Sequence, residues 1–237
     1  MGLRVILEVI AAPYFATNCW IFAPAKNSEC FIVDPGMAKP DLVPAIKERL
    51  NAHNLKPIAT IVTHGHLDHT FSVTPLCSGY GIPAYIHRGD SKLIGDPFKI
   101  LLPGGPIDSL LGELGSPKFS EPDELIAFDD NFSINIAGFD LVAQHAPGHT
   151  AGSATFVVND EYLISGDVLF AGAIGRTDLP SGSSAEMKVS LRNKILPLAD
   201  ELIVLPGHGP QTTIARERKN NPYLQDEFLN SPSVKGE

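Results

Sequence analysis

Six consecutive residues, His64-Gly65-His66-Leu67-Asp68-His69, carry three imidazoles and a carboxylate. A spacing of two puts His64 and His66 on one side of an extended segment. Asp68 and His69 then turn towards the start of a helix, where they face a second point. Neutral imidazole and carboxylate are the ligands of zinc and other borderline divalent ions. Two ions held close together would need about this number of ligands, with one further carboxylate between them. A lone histidine after a strand is usually a surface or hydrogen-bonded residue. Three of them with an aspartate in one turn have no comparable structural explanation, because uncompensated imidazoles gain nothing from burial.

The chain has eight histidines. His64, His66, His69, His149 and His208 each stand in a turn with glycine or acidic residues, just after a stretch of strand composition. His53 falls in a helical run, His87 at a strand end, and His145 just before Ala146-Pro147-Gly148-His149. Asp167 follows Ile164-Ser165-Gly166 and would by itself be an ordinary turn aspartate. Asp34, before Pro35-Gly36, either forms a turn or orients a ligand histidine, and the second role is preferred.

The elements that must position these residues follow from periodicity. Asn18–Phe22 and Glu29–Val33 are short β-forming runs joined through Pro24, Lys26 and Asn27, as in a hairpin. Apolar residues at Leu42, Ala45, Ile46 and Leu50 predict a helix from Asp41 to about His53, with Asp41 as N-cap and Pro44 in the first turn. Ile58–Thr63 is a continuous apolar strand that stops at the histidine cluster, and a helix is expected from Asp68 or His69 to Tyr80. Pro83–His87 is a further strand. Residues 88–123, rich in Pro and Gly with one apolar patch at Leu110, are expected to form an ordered insertion or lid. Leu125–Asp129, Phe132–Ile136, Phe139–Ala143, Ala154–Val158 and Glu161–Ser165 have strand character. A Gly-rich loop to Gly182 leads to a helix from Ser184 to Leu196, and Leu202–Leu205 is a last strand before Pro206-Gly207-His208-Gly209. No repeat of 20–50 residues interrupts the pattern. Two strand-rich halves, each with helices, fit an α+β chain of two sheets packed face to face with helices outside.

With 237 residues, 43% of them hydrophobic and 19% charged, the chain can bury a sizeable core. A net charge of −9 argues against a phosphate backbone or an anionic membrane as partner. Cys19, Cys30 and Cys77 form no CxxC pair and leave an odd count, as in a reduced compartment. The early apolar run Val5-Ile6-Leu7 is broken by Glu8 and soon followed by Pro13, so no secretory leader is expected. No apolar run reaches the roughly 20 residues that span a bilayer. A cytoplasmic location is expected, and the oligomeric state is left open.

Thr63-His64-Gly65-His66-Leu67-Asp68-His69, Pro147-Gly148-His149-Thr150, Ser165-Gly166-Asp167 and Pro206-Gly207-His208-Gly209 together resemble the metallo-β-lactamase superfamily. The resemblance implies a four-layer αββα sandwich occupying residues 1–237 as one domain, with the insertion at about 88–123. It implies two divalent metal ions per chain, zinc in the first instance, with iron or manganese as alternatives. His64, His66 and His149 match the ligands of the first ion, Asp68, His69 and His208 those of the second, and Asp167 the bridging carboxylate. Asp68 and Asp167 are the implied catalytic residues.

Within that superfamily the chain is most similar to short hydroxyacylglutathione hydrolases of the glyoxalase II kind, through Gly175-Arg176-Thr177-Asp178 and Glu217-Arg218-Lys219-Asn220-Asn221-Pro222-Tyr223. Arg176 matches a basic residue that contacts glutathione in the larger enzymes. The aromatic contact two positions on is Asp178 here, and the short tail after His208 lacks their helical glutathione-binding segment. Another low-molecular-weight thiol is therefore an alternative carrier. The implied reaction is hydrolysis of a thioester, such as an S-2-hydroxyacyl thiol, by a metal-bridging hydroxide. The alternatives are a persulfide dioxygenase with one iron, which shares the histidine cluster and the Gly-Arg-Thr-Asp motif, and an acyl-homoserine lactonase. The Thr212-Thr213-Ile214 that follows the last histidine favours the hydrolase group. A true β-lactamase would be exported and typically has Cys where Asp167 stands. The branch that processes nucleic acids carries an additional domain and a basic face.

Overall fold

The computed structural model describes residues 5–100, 106–115 and 117–232. Its first half builds a six-stranded sheet from β1 (Ile6–Ala11), β2 (Asn18–Ala23), β3 (Glu29–Val33), β4 (Lys56–Ile61), β5 (Ala84–His87) and β6 (Leu125–Phe128), in that spatial order. β1 to β3 are antiparallel and β3 to β6 parallel. The second half builds the other sheet from β7 (Ser133–Ile136), β8 (Phe139–His145), β9 (Ala154–Val158), β10 (Tyr162–Gly166), β11 (Ile203–Pro206) and β12 (Thr212–Thr213). There only β10 and β11 run parallel.

β2 and β3 are apolar without alternation because both faces are covered. Trp20, Phe22, Phe31 and Val33 face the other sheet and meet Phe139, Phe156 and Leu205 there. Phe22 and Phe31 stack at 4.7 Å between centroids, and Phe139 stands edge-on to both. Cys19, Ile21, Cys30 and Ile32 point the other way, onto Ile46 and Leu50 of helix α1 (Val43–His53) and onto Leu76. Outside the second sheet, Leu163 and Val204 are covered by Met187, Leu191, Ile195 and Ile214. The result is the four-layer αββα sandwich that the two-halved pattern predicts. Among the described residues, no helix is long and apolar enough to cross a membrane.

The N-cap is Leu42 rather than the expected Asp41, which stands one residue earlier and accepts from the Val43 amide at 2.9 Å, and Pro44 sits in the first turn as expected. The single helix expected from Asp68 to Tyr80 is instead two, α2 (Leu67–Thr70) and α3 (Val73–Tyr80). The break is at Ser72, whose amide bonds Pro35 O and whose hydroxyl donates to Gly36 O and accepts from the Leu42 amide. Those bonds take the backbone out of the helical ladder and tie the histidine-bearing turn to the loop after β3. In the proline-rich stretch, α4 (Ser91–Gly95) and α5 (Pro106–Glu113) flank a 3-10 turn at Pro97–Lys99. Leu111 of α5 packs with Met37, Leu67 and Phe71, so this part of the expected insertion is anchored beside α2. Residues 101–105 and 116 of that insertion lie outside the described residues. Helix α6 (Ser184–Ser190) continues as a π-helix over Leu191–Ile195. The edge strands β1 and β12 and the terminal helices α7 (Ile214–Asn220) and α8 (Asp226–Leu229) are additions to the sequence expectation.

Candidate metal centre

Loops after β3, β4, β8, β10 and β11 meet at one end of the sandwich. They deliver Asp34, then His64 to His69, then His149, Asp167 and His208. One donor atom from each of His64, His66 and His149 falls within 4.8 Å of the others, and the same holds for Asp68, His69 and His208. His64, His69 and Asp167 form a third such group between them. All seven candidate ligands are therefore brought together. His53, which pairs with Glu8, and His87, which stacks on His145, contribute to none of these groups.

The hydrogen-bond network assigns the ring nitrogens. His149 donates from Nδ1 to Arg176 O at 2.8 Å, and His208 from Nδ1 to Phe15 O at 3.1 Å. His69 donates from Nδ1 to Asp34 Oδ2 at 2.9 Å. The Thr63 hydroxyl gives its proton to Asp34 Oδ2 at 2.7 Å, so it accepts from His64 Nδ1 at 3.1 Å. In the neutral rings of His64, His69, His149 and His208 the opposite nitrogens, all Nε2, thus carry lone pairs and converge, while the tautomer of His66 is fixed by no such bond. His66 Nδ1 lies 3.1 Å from His64 Nε2 and 2.7 Å from His149 Nε2, and His69 Nε2 lies 3.3 Å from His208 Nε2. Lone pairs that face each other with too few protons to share fit a cation between them.

Asp167 stands between the two groups. Its Oδ1 is 3.3 Å from His69 Nε2, and its Oδ2 is 3.5 Å from both His149 Nε2 and His208 Nε2. The buried Oδ1 has no hydrogen-bond partner, as suits an oxygen disposed to take a cation. Gly207 makes this approach possible, since a Cβ there would lie 2.1 Å from Asp167 Oδ1 and 2.7 Å from His69 Cε1. Asp68 Oδ2 is held by the Thr17 hydroxyl at 2.9 Å and lies 3.2 Å from His208 Nε2. The side chains of Asp68 and His208, 20% and 27% exposed, mark the open side of the centre.

Electrostatics divide the cluster. Burial pushes His64 and His66 down, His66 to about 3, and the neighbouring imidazoles add to the effect. Burial opposes the charge on His69 too, but Asp167, Asp68 and Asp34 outweigh it and raise its pKa. Asp68 and Asp167 resist burial in the same way and are pulled below the ordinary carboxylate range, His69 being the largest favourable neighbour of each. The side nearest His64 thus favours neutral donors, and the side nearest Asp68 favours charge.

Arg176 takes part in two unrelated ways. Its carbonyl orients His149, while its exposed guanidinium makes a bidentate pair with Asp178 at 2.8 and 2.7 Å. The Glu217 to Tyr223 motif sits behind the loop that carries Phe170 and Arg176. Glu217 Oε2 accepts from the Gly172 amide and from Asn221 Nδ2, and Asn221 also reaches Phe170 O and Ala173 O. Phe170 in turn stands edge-on to His208. No spacing in the sequence points to Thr17, Phe15 or the buried Asp90, all of which touch the ligand loops.

Comparison with known proteins agrees with this geometry. Residues 12–208 match the model of the metallo-beta-lactamase superfamily. The hydroxyacylglutathione hydrolase GloC of Haemophilus influenzae is 33% identical over 220 residues, covering 92% of this chain and 97% of that protein. Among solved structures, BLEG-1 B3 metallo-beta-lactamase superposes with a TM-score of 0.77 at 33% identity, over 92% of this chain and 99% of its own. TTHA1623 in a di-iron-bound form gives 0.71 at 26% identity, over 92% and 100% of the two chains. The chain belongs to the metallo-β-lactamase superfamily of metal-dependent hydrolases.

Proposed function

We propose that the chain hydrolyses thioesters of the S-2-hydroxyacyl class with two divalent ions bound, zinc in the first instance. The observation that carries this reading is the Asp167 carboxylate set between two complete ligand groups. The likeness to GloC supports the substrate class. His64, His66 and His149 would hold the first ion, Asp68, His69 and His208 the second, and Asp167 both. Such ions lower the pKa of water towards neutrality and polarise an acyl carbonyl.

The chain's own residues do the rest. Asp34 and the Arg176 and Phe15 carbonyls keep His69, His149 and His208 in the tautomers that present Nε2 to the centre. The Asp68 carboxylate, at the open side, accepts a hydrogen bond from the attacking hydroxide and so orients it. A thiolate leaves readily, so no strong general acid is required. Arg176 exchanges Asp178 for a carboxylate of the thiol carrier. The proposed substrate is a small acyl thiol, and a net charge of −9 argues against nucleic acid or an anionic membrane as the main partner.

The test follows thiol release from S-lactoylglutathione and from S-lactoyl esters of other low-molecular-weight thiols. Turnover of at least one of them, lost together with bound metal in Asp167→Ala, is the expected result. No release above the buffer rate from any of them, with metal fully bound, would overturn the thioester reading, as would full metal content in Asp167→Ala the role of that residue.

A further inference from the structure

The two ligand groups share the turn after β4, but different side chains outside it brace each of them. Asp90, 1% exposed, lies just before α4 and is tied to its own strand end by a bond from its amide to His87 O. Its carboxylate accepts three hydrogen bonds. Gly65 N and the Thr150 hydroxyl reach Oδ2 at 2.8 and 2.6 Å, and Gly152 N reaches Oδ1 at 2.7 Å. Gly65 separates His64 from His66, and Thr150 follows His149. One buried carboxylate therefore fixes the turn carrying two donors of the first group to the turn carrying the third. The contact is too close for a side chain on the far turn, because a Cβ on Gly152 would fall 2.5 Å from Asp90 Cγ.

The second group is tied elsewhere, to the turn between β1 and β2. Phe15 and Ala16 both hold positive φ, 63° and 56°, a region that residues with a Cβ avoid. The turn is closed by the Ala12 amide on Thr17 O at 2.8 Å. This conformation aims the Phe15 carbonyl at His208 Nδ1 and the Thr17 hydroxyl at Asp68 Oδ2. Asn18 completes the tie, its amide bonding Gly207 O and its side chain Pro206 O and Gly209 O on either side of His208. No hydrogen bond links Asp90 to the Phe15–Asn18 turn among the described residues.

We propose that Asp90 and Thr17 are positioning residues acting on different ions: Asp90 sets the affinity of the ion held by His64, His66 and His149, and Thr17 that of the ion held by Asp68, His69 and His208. This rests on the two-ion reading above. Groups that orient metal ligands are worth roughly 10- to 100-fold in affinity, and the two straps share no residue, so each substitution moves one constant.

The test titrates zinc against a competing chelator and extracts both dissociation constants from wild type, Asp90→Asn, Thr17→Val and the double variant, with thermal melts of the metal-free forms alongside. Thr150→Val, which removes only the hydroxyl donor to Asp90, stands in if Asp90→Asn does not fold. The expected result is about 10-fold or greater weakening of one constant in Asp90→Asn or Thr150→Val, of the other in Thr17→Val, and of both in the double variant. Weakening of the same constant, of both equally, or of neither would overturn the separate straps. Fewer than two zinc sites in the wild type would instead overturn the two-ion reading.

Discussion

Asp34 Oδ2 accepts a hydrogen bond from His69 Nδ1 at 2.9 Å, between two side chains that are 2% and 0% exposed. The same carboxylate takes the Thr63 amide at 2.8 Å and its hydroxyl at 2.7 Å, and Thr63 in turn receives His64. Asp34 therefore reaches a ligand of each group, unlike Asp90 or Thr17. Asp34→Ala is expected to weaken both zinc constants by roughly 10- to 100-fold. It also strands buried donors, at about 1–3 kcal/mol each, so the metal-free protein melts earlier. Chelator competition and a thermal melt check the two effects, and an unchanged affinity for either ion would contradict the role.

Gly207→Ala tests the close approach behind Asp167. The added methyl meets Asp167 Oδ1 at 2.1 Å and the His69 ring at 2.7 Å, and backbone and buried imidazole leave neither free to move. Displacement of the carboxylate by a fraction of an ångström or more is expected to cost about 100-fold in kcat/KM, with loss of bound metal. Near wild-type turnover with full metal would show that Asp167 tolerates a different position.

Arg176→Ala distinguishes the side chain from the carbonyl. The carbonyl that orients His149 survives the substitution, so the metal centre stays intact. Loss of the guanidinium is expected to raise KM more than it lowers kcat. A fall in kcat at unchanged KM would remove Arg176 from substrate binding.

His87 gives a pH signature outside the centre. It stacks on His145 at 3.9 Å and 10°, and burial with that neighbour lowers its pKa from 6.5 to about 4. Asp129 and Asp130 pull the other way and Arg88 adds to the lowering. With the folded value depressed, the unfolded chain binds the proton first, so this contribution is intact above about 6.5 and is lost as pH falls towards 4. Metal-free His87→Phe keeps a stacking ring without the proton, and its melting temperature is expected to fall less than that of wild type over that range. Parallel declines would show that His87 carries no such linkage.

The candidate ligands were legible because their chemistry is local. Three histidines and an aspartate in six residues need no knowledge of the fold, and each remaining ligand follows a strand-like run. The sandwich was legible because β2 and β3 are apolar on both faces and α1 has helical spacing. Other features depend on contacts distant in sequence. Ser72 breaks the α2–α3 helix through bonds to Pro35, Gly36 and Leu42, which no local propensity encodes. Asp90 and Thr17 look like any aspartate after a strand and any threonine before one, until Gly65, Thr150, Gly152 and Asp68 arrive from elsewhere. β1 carries Glu8 in an apolar edge strand, so its alternation is weak.

Metal content per chain, measured by elemental analysis of protein purified without chelators, bears most directly on the dinuclear centre. About two zinc, manganese or mixed ions per chain is the expected result, falling in Asp167→Ala. A single iron per chain in wild type would contradict it and bring forward the persulfide dioxygenase, to be followed by oxygen uptake with a persulfide.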